Sequence, residues 1–460
     1  MGEGKMCERH EEEIEDQQPP QPDQQIQNGH VFHSGTSLRP PFSILIGTAL
    51  YVAEFVSAAV LCGYYHRYHD HYWMGLTITF MIVPSVVSQL ALTFIHRDLG
   101  KDRPLILLIH LLQMGPVIRC IEALVVYFRA GKKEEPYVSI SRKIKLKHGV
   151  EREVETEIGH SARILAMHRN AFKRVAVIQA FLGSTPQLSL QLYATVLQKY
   201  MPAARVALMS LSLISVTYGA LVCTILAIQI KYDDYKLVLQ PLGYLCIVMW
   251  RATEIATRVT VIVLFSTALK YWIVPIGLIN LLFLFFLPWV EFWRKKAPFP
   301  ENVEKNFSKV GTAFVLSLVT FLYAGINVFC WSAVQLNLAD KDLIEKSQSW
   351  GRLAIYYSVR FVENAVLITL WYFYKTDIYE YFCSPLLVAQ LMVAYVLGVI
   401  FMLAFYQYFH PCRRLFTHNV EDCLHCVCLK STSAPQLPQD QKPEGMLEHI
   451  NELRETNLME

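Results

Sequence analysis

Met249-Trp-Arg-Ala-Thr-Glu-Ile-Ala-Thr-Arg-Val-Thr-Val-Ile-Val-Leu-Phe265 reads as membrane-buried sequence, yet it carries Arg251, Glu254 and Arg258. At helical spacing the three fall within roughly 60° of arc, on one face. A charged side chain at the bilayer centre costs on the order of 2.5 to 3.5 kcal/mol even on a lenient insertion scale, so such a helix turns that face towards protein, water or lipid headgroups. Two readings follow. Either Glu254 neutralises the arginines inside a structural helix contact, or the face is a polar seam that something crosses or binds.

The rest of the chain supports a membrane setting. Of its 460 residues 53% are hydrophobic and 18% charged, with a mean hydropathy of +0.29. Apolar runs of about 20 residues recur along most of the length, which excludes a soluble multidomain chain and points to a polytopic membrane protein. Residues 1–38 are acidic, Gln/Pro-rich and free of a signal-peptide pattern, so a disordered cytoplasmic tail is expected. The eleven cysteines fall mostly in apolar segments and do not form a disulfide pattern.

Spans are expected at about Pro41 to Tyr64, Trp73 to Ile95, Val175 to Leu197 and Val206 to Ile230, then at about Leu242 to Phe265, Trp272 to Phe292, Leu353 to Tyr374 and Leu386 to Phe409. Leu105 to Phe128 has basic residues on both flanks and is interrupted by Gly115-Pro116, so a broken re-entrant hairpin fits it better than a straight span. Gly311 to Leu336, between lysine-bearing loops, is read as its counterpart. The expected fold is an all-α polytopic membrane protein of about eight transmembrane helices in two pseudo-repeats, each with a re-entrant helical element. The repeats are 39–236, including a charged cytoplasmic loop 129–173 with room for an amphipathic helix, and 237–411; a disordered cytoplasmic tail, 412–460, follows. A ten-span count would put the basic 129–173 loop outside, against the positive-inside bias. The sequon Asn306-Phe-Ser308 lies in a loop expected inside, so it should carry no glycan. His66, His69 and His71 crowd one interfacial turn and read as belt anchoring rather than a zinc site.

No phosphate-binding loop, metalloprotease helix, nucleophile elbow, kinase set or dinucleotide fingerprint is present, so no enzyme and no cofactor, metal or nucleic-acid partner is expected. Polar side chains at membrane depth stand out instead: Glu54, Gln89, Arg119, Glu122, Gln187, Gln191, Arg251, Glu254, Arg258, Arg360, Glu363 and Asn364. Such residues pair with one another or line a pathway. Glu54, Arg119, Glu122, Arg251, Glu254, Arg258, Arg360 and Glu363 are the candidates for a lipid pathway, each with a structural reading beside it. In the tail, Cys412, Cys423, Cys426 and Cys428 are candidates for palmitoylation or inert thiols.

The runs Phe329-Cys-Trp-Ser-Ala-Val-Gln-Leu336, Tyr357-Ser-Val-Arg-Phe-Val-Glu-Asn364, Leu370-Trp-Tyr-Phe-Tyr-Lys-Thr-Asp-Ile-Tyr-Glu-Tyr-Phe-Cys-Ser-Pro385 and Phe405-Tyr-Gln-Tyr-Phe-His-Pro-Cys412 resemble the XK family of multi-pass membrane proteins. The resemblance covers about residues 40–415 and is strongest to the founding member and its X-linked relative. It implies an eight-span, two-repeat fold with re-entrant helices and phospholipid scrambling at the plasma membrane, with Glu54, Arg251, Glu254, Arg258 and Glu363 as matching steps for headgroups; the span count itself puts both termini in the cytoplasm. Caspase removal of the tail switches on some members, but Asp422 and Asp440 stand in no persuasive site here. The founding member joins a single-pass glycoprotein through a cysteine, and Cys383 occupies the matching Tyr-Phe-Cys-Ser-Pro context; a free interfacial thiol is the alternative. Two functions are therefore open: a scramblase acting on membrane phospholipids, or a non-catalytic scaffold or transport-accessory subunit. The second would bind partners through Cys383 and its cytoplasmic loops, for example a lipid-transfer or scaffold protein. A solute transporter ranks third.

Overall fold

The computed structural model describes residues 40–95, 108, 112, 114–129, 137–145, 151–231, 239–296, 298–300, 309–340, 343–345, 350–375 and 379–410. They belong to one compact unit, Met1–Arg413. The two tails, the sequon at Asn306, Cys412, Cys423, Cys426 and Cys428 lie outside the described residues, as do the side chains of Gln89 and Cys383.

The helices run α1 (Phe42–Arg67), α2 (His71–Ile95), α3 (Gly115–Arg129), α4 (His160–Gln179), α5 (Thr185–Gln198), α6 (Ala203–Lys231), α7 (Pro241–Ala268), α8 (Ile273–Lys295), α9 (Lys309–Phe329), α10 (Trp350–Tyr374) and α11 (Tyr379–Ala404). Among the described residues seven of them, α1, α2, α6, α8, α9, α10 and α11, are long and apolar enough to cross a membrane. With 28 residues α7 has the length as well, and Arg251, Glu254 and Arg258 are what make it less apolar. This is a polytopic membrane protein, nearly all of it helical.

Among the described residues two π turns interrupt the helices, and each stands just before a proline. Ala180–Ser184 joins α4 to α5 ahead of Pro186, and Phe405–Phe409 ends α11 ahead of Pro411. Proline offers no N–H to the carbonyl one turn back, so the ladder shifts by a residue. The Thr185 N–H and hydroxyl both donate to the Ala180 carbonyl, and the His410 N–H donates to the Phe405 carbonyl. The polar centre Gly183-Ser-Thr-Pro-Gln187, read as a kink or a cavity, is the first of these turns.

Residues 129–173 depart from expectation. They hold an antiparallel hairpin, β1 (Tyr137–Lys145) and β2 (Glu151–Gly159), which runs directly into α4. Its register pairs Tyr137 with Gly159 and Lys145 with Glu151, and sets Lys143 across from Glu153. Period-two alternation in Val138-Ser-Ile140 and Val154-Glu-Thr-Glu-Ile158 was the available signal, and the density of charges masked it.

Helix α7 is the hub. Val259 and Val263 join the core of Val177, Phe181, Leu188, Val216 and Ile326, whereas Val261, Leu264 and Phe265 pack on Leu367, Ile368, Trp371 and Leu391. Its buried residues, the charged three included, are spread over most of its circumference, which places α7 inside the bundle. The α4 to α6 crossing is tight, because a Cβ added at Gly219 would stand 2.3 Å from the Ala180 Cβ and 3.2 Å from the Ala176 carbonyl oxygen. Gly219→Ala is therefore expected to lower the thermal unfolding midpoint of the purified protein, by the equivalent of about 1 to 3 kcal/mol. Gly277→Ala, where an added Cβ meets nothing within 4 Å, should leave it unchanged or slightly raised.

Candidate functional site

The charged face of α7 splits between two sets of partners. Arg251, 1% exposed, forms an ion pair with Glu254 at 3.0 Å. Its Nε and Nη2 donate to the Thr224 hydroxyl at 3.1 and 2.9 Å, and its guanidinium lies 3.9 Å from the centroid of the Trp250 ring. The other Glu254 oxygen accepts the Trp331 N–H and the Tyr357 hydroxyl, each at 3.0 Å. Tyr357 in turn accepts the Trp250 indole N–H at 2.8 Å.

Arg258 reaches the other way. It donates to Glu363 at 2.7 Å, to the Asn364 side-chain oxygen at 2.6 Å and to the Val328 carbonyl at 3.1 Å. Glu363 also accepts from Asn280 at 2.6 Å and is ion-paired with Arg360. Arg360 and the Tyr356 hydroxyl both donate to the Asn327 carbonyl, each at 2.8 Å. Asn327 and Val328 belong to the last turn of α9, whose carbonyls have no partner within the helix. Arg258 and Arg360 therefore cap a helix C-terminus inside the protein, where positive charge also complements the helix dipole.

The other candidates gather elsewhere. Glu54 accepts hydroxyl hydrogens from Ser184 at 2.8 Å and Ser212 at 2.7 Å. Gln191 accepts from Tyr65 at 2.7 Å and donates to Thr77 at 3.1 Å. On α3, Arg119 is buried and Glu122 is exposed. Arg205, one residue ahead of the span expected from Val206, is fully buried and donates to Tyr65, to the Gln198 side chain and to the Tyr200 carbonyl. Thr224 and Asn327 meet the arginines and Asn280 and Tyr357 meet the glutamates, and because all four are uncharged nothing in the sequence marked them as partners.

Beside the Arg360–Glu363 pair a cleft of about 760 Å³ opens between α8 and α10. Ile279, Phe283, Ile355 and Val359 line its apolar walls, with Asn280, Arg360 and Glu363 along its polar side and Glu291 and Arg352 also on its lining. Arg352 holds Glu345 at 3.0 Å. Among the described residues no group of three or more His, Cys, Asp or Glu is placed to hold a metal ion.

The pairing sets a clear expectation for α7. Glu254→Gln strands the Arg251 charge in a buried site, which costs about 3 to 5 kcal/mol when one partner of a buried pair is lost. The monodisperse fraction on size exclusion should fall sharply, and adding Arg251→Met should restore part of it. Normal folded yield of Glu254→Gln would show that water already solvates this site.

A protein-family model described as XK-related protein matches residues 42–411. The "Endoplasmic reticulum membrane adapter protein XK" of Rattus norvegicus is 52% identical over 396 residues, covering 85% of this chain and 89% of the relative. Its counterpart in Pan troglodytes is 52% identical over 393 residues, 84% of this chain and 88% of the relative. "XK-related protein 8" of Tetraodon nigroviridis is 23% identical over 397 residues, 80% and 83% of the two chains. The names of the mammalian relatives place them in the endoplasmic reticulum membrane, which overturns the plasma-membrane expectation that the family resemblance implied; nothing in the apolar spans themselves says which bilayer a chain enters. On these matches the chain belongs to the XK-related family.

Proposed function

We propose that this protein is an adapter of the endoplasmic reticulum membrane, a rigid helical body that presents the β1–β2 hairpin to a soluble protein partner. The hairpin carries this reading. Two strands alone are marginally stable in water, and each here has one edge not paired in its two-stranded sheet. Such an edge accepts an added strand through main-chain hydrogen bonds. The hairpin is also continuous with α4, so a partner seated on it is tied to the bundle without a flexible linker. The paired charges of α7 and α10 fit the same reading, since a network that satisfies its own members stabilises a scaffold. The relatives named as adapters lend it further support.

Replacing residues 137–159 by a Gly/Ser linker of equal length is expected to abolish recovery of cytosolic partners with the tagged, membrane-inserted protein, while expression stays at the parent level. Partner recovery that is unchanged by the replacement would sink the adapter reading through this hairpin.

Phospholipid movement is the second reading, favoured by the α8–α10 cleft, where Arg360 and Glu363 meet apolar walls at one place. Lipid headgroups would pass along the polar side while acyl chains stay among Phe283, Ile355 and Val359. Purified protein in vesicles with fluorescent lipids in both leaflets tests it. Transfer no faster than in empty vesicles would leave the adapter role alone.

A further inference from the structure

Glu54 differs from the other buried carboxylates of the spans. Glu254 faces Arg251, and Glu363 faces Arg258 and Arg360. Glu54 is 5% exposed in the middle of α1, and its partners are neutral: the Ser184 and Ser212 hydroxyls, with Ser215 beside them. Among the described residues it has no ion pair. A lone carboxylate in a low-dielectric interior is costly without a counter-charge.

A second, independent anomaly lies next to it. Gln187 is 3% exposed, and both its Oε1 and its Nε2 are buried with no hydrogen-bond partner. Buried amides left wholly unpaired are rare in folded proteins. Gln187 and Glu54 line the same cavity of about 20 Å³, together with Tyr51, Gln179 and Gly183. That volume holds one water-sized occupant. The π turn Ala180–Ser184 forms this wall, placing Ser184 on the carboxylate and Gln187 one turn beyond.

We propose that Glu54, Gln187 and the surrounding hydroxyls form a binding site for a single sodium ion. The oxygen-bearing groups on the cavity are the Glu54 carboxylate, the Gln187 and Gln179 amides and the Tyr51 hydroxyl, with the Ser184 and Ser212 hydroxyls on the carboxylate behind; one neutral thioether, Met81, also lines it, and a set dominated by oxygen suits a hard cation. One carboxylate balances one positive charge, so a divalent ion would leave a net charge buried. The small cavity favours sodium over potassium. The ion supplies to Glu54 what Arg251 supplies to Glu254, and it ties α1 to α5 and α6 through the π turn.

The test is thermal unfolding of the full-length protein in detergent, titrated with NaCl while choline chloride holds ionic strength constant. The midpoint should rise with sodium and saturate, with potassium less effective. Glu54→Gln should remove the rise. Gln187→Leu removes only a neutral oxygen and should keep the fold while raising the half-saturating sodium concentration about tenfold, the scale of one lost polar contact; it decides the matter if Glu54→Gln does not fold. A parent midpoint that is identical in sodium and choline at every concentration overturns the proposal and assigns the neutralisation of Glu54 to a proton. A sodium response unchanged in Gln187→Leu overturns it too, because the ion then binds elsewhere.

Discussion

Helix α9 ends at Phe329 with the carbonyls of Asn327 and Val328 facing protein instead of water. Each such group costs free energy comparable to a lost hydrogen bond unless a donor reaches it, and at membrane depth no bulk water is there to help. Arg258 from α7 and Arg360 from α10 are those donors. Around this helix end, among the described residues, Arg251, Arg258 and Arg360 are ion-paired with Glu254 and Glu363 alone. The partial negative charge of the α9 terminus, about half an elementary charge, offsets part of the excess. Beyond it the non-helical stretch is secured as well, since the Trp331 N–H binds Glu254 and the Ser332 N–H binds Asn327. Non-helical backbone at this depth is tolerated only where protein encloses it, and Cys330, Trp331, Ser332 and Ala333 are all buried.

The same arrangement separates the interior into regions of different character. Around α7, α9 and α10 the polar groups are charged, paired and capped by tyrosine and tryptophan. Around α1, α5 and α6 they are hydroxyls and amides about one glutamate, with the Arg205 guanidinium held apart from it by Tyr65, Gln198 and the Tyr200 carbonyl. The first kind gives a rigid joint, because moving any member strands a charge. The second kind leaves unpaired hydrogen-bonding capacity beside a small cavity, and that capacity is where a ligand can add stability.

For an adapter, rigidity in the bilayer is the useful property. A soluble partner is positioned only as well as the element that holds it, and the hairpin continues into α4, which packs on α3, α6 and the first π turn. The α8–α10 cleft is a wider opening, with apolar walls and the Glu363 carboxylate on its lining.

What could be read from the sequence was whatever is local or compositional. Apolar runs placed α1, α2, α6, α7, α8, α10 and α11 to within a few residues, because a span must satisfy its own backbone and needs a fixed length to do so. Charges in those runs announced Arg251, Glu254, Arg258, Arg360 and Glu363, because only a partner makes such residues tolerable. Which partner each takes was decided by packing. Glu254 lies within one turn of both Arg251 and Arg258, yet Arg258 pairs 105 positions away with Glu363, since α10 meets α7 on that side. The neutral partners Thr224, Asn280 and Asn327 were invisible for the same reason: an uncharged side chain in an apolar run gives no sign of its role until the fold places a guanidinium or a carboxylate against it. The hairpin was hidden by its charges, and the environment of Glu54 was hidden because only packing brings Ser184 of the π turn and Ser212 of α6 onto its carboxylate.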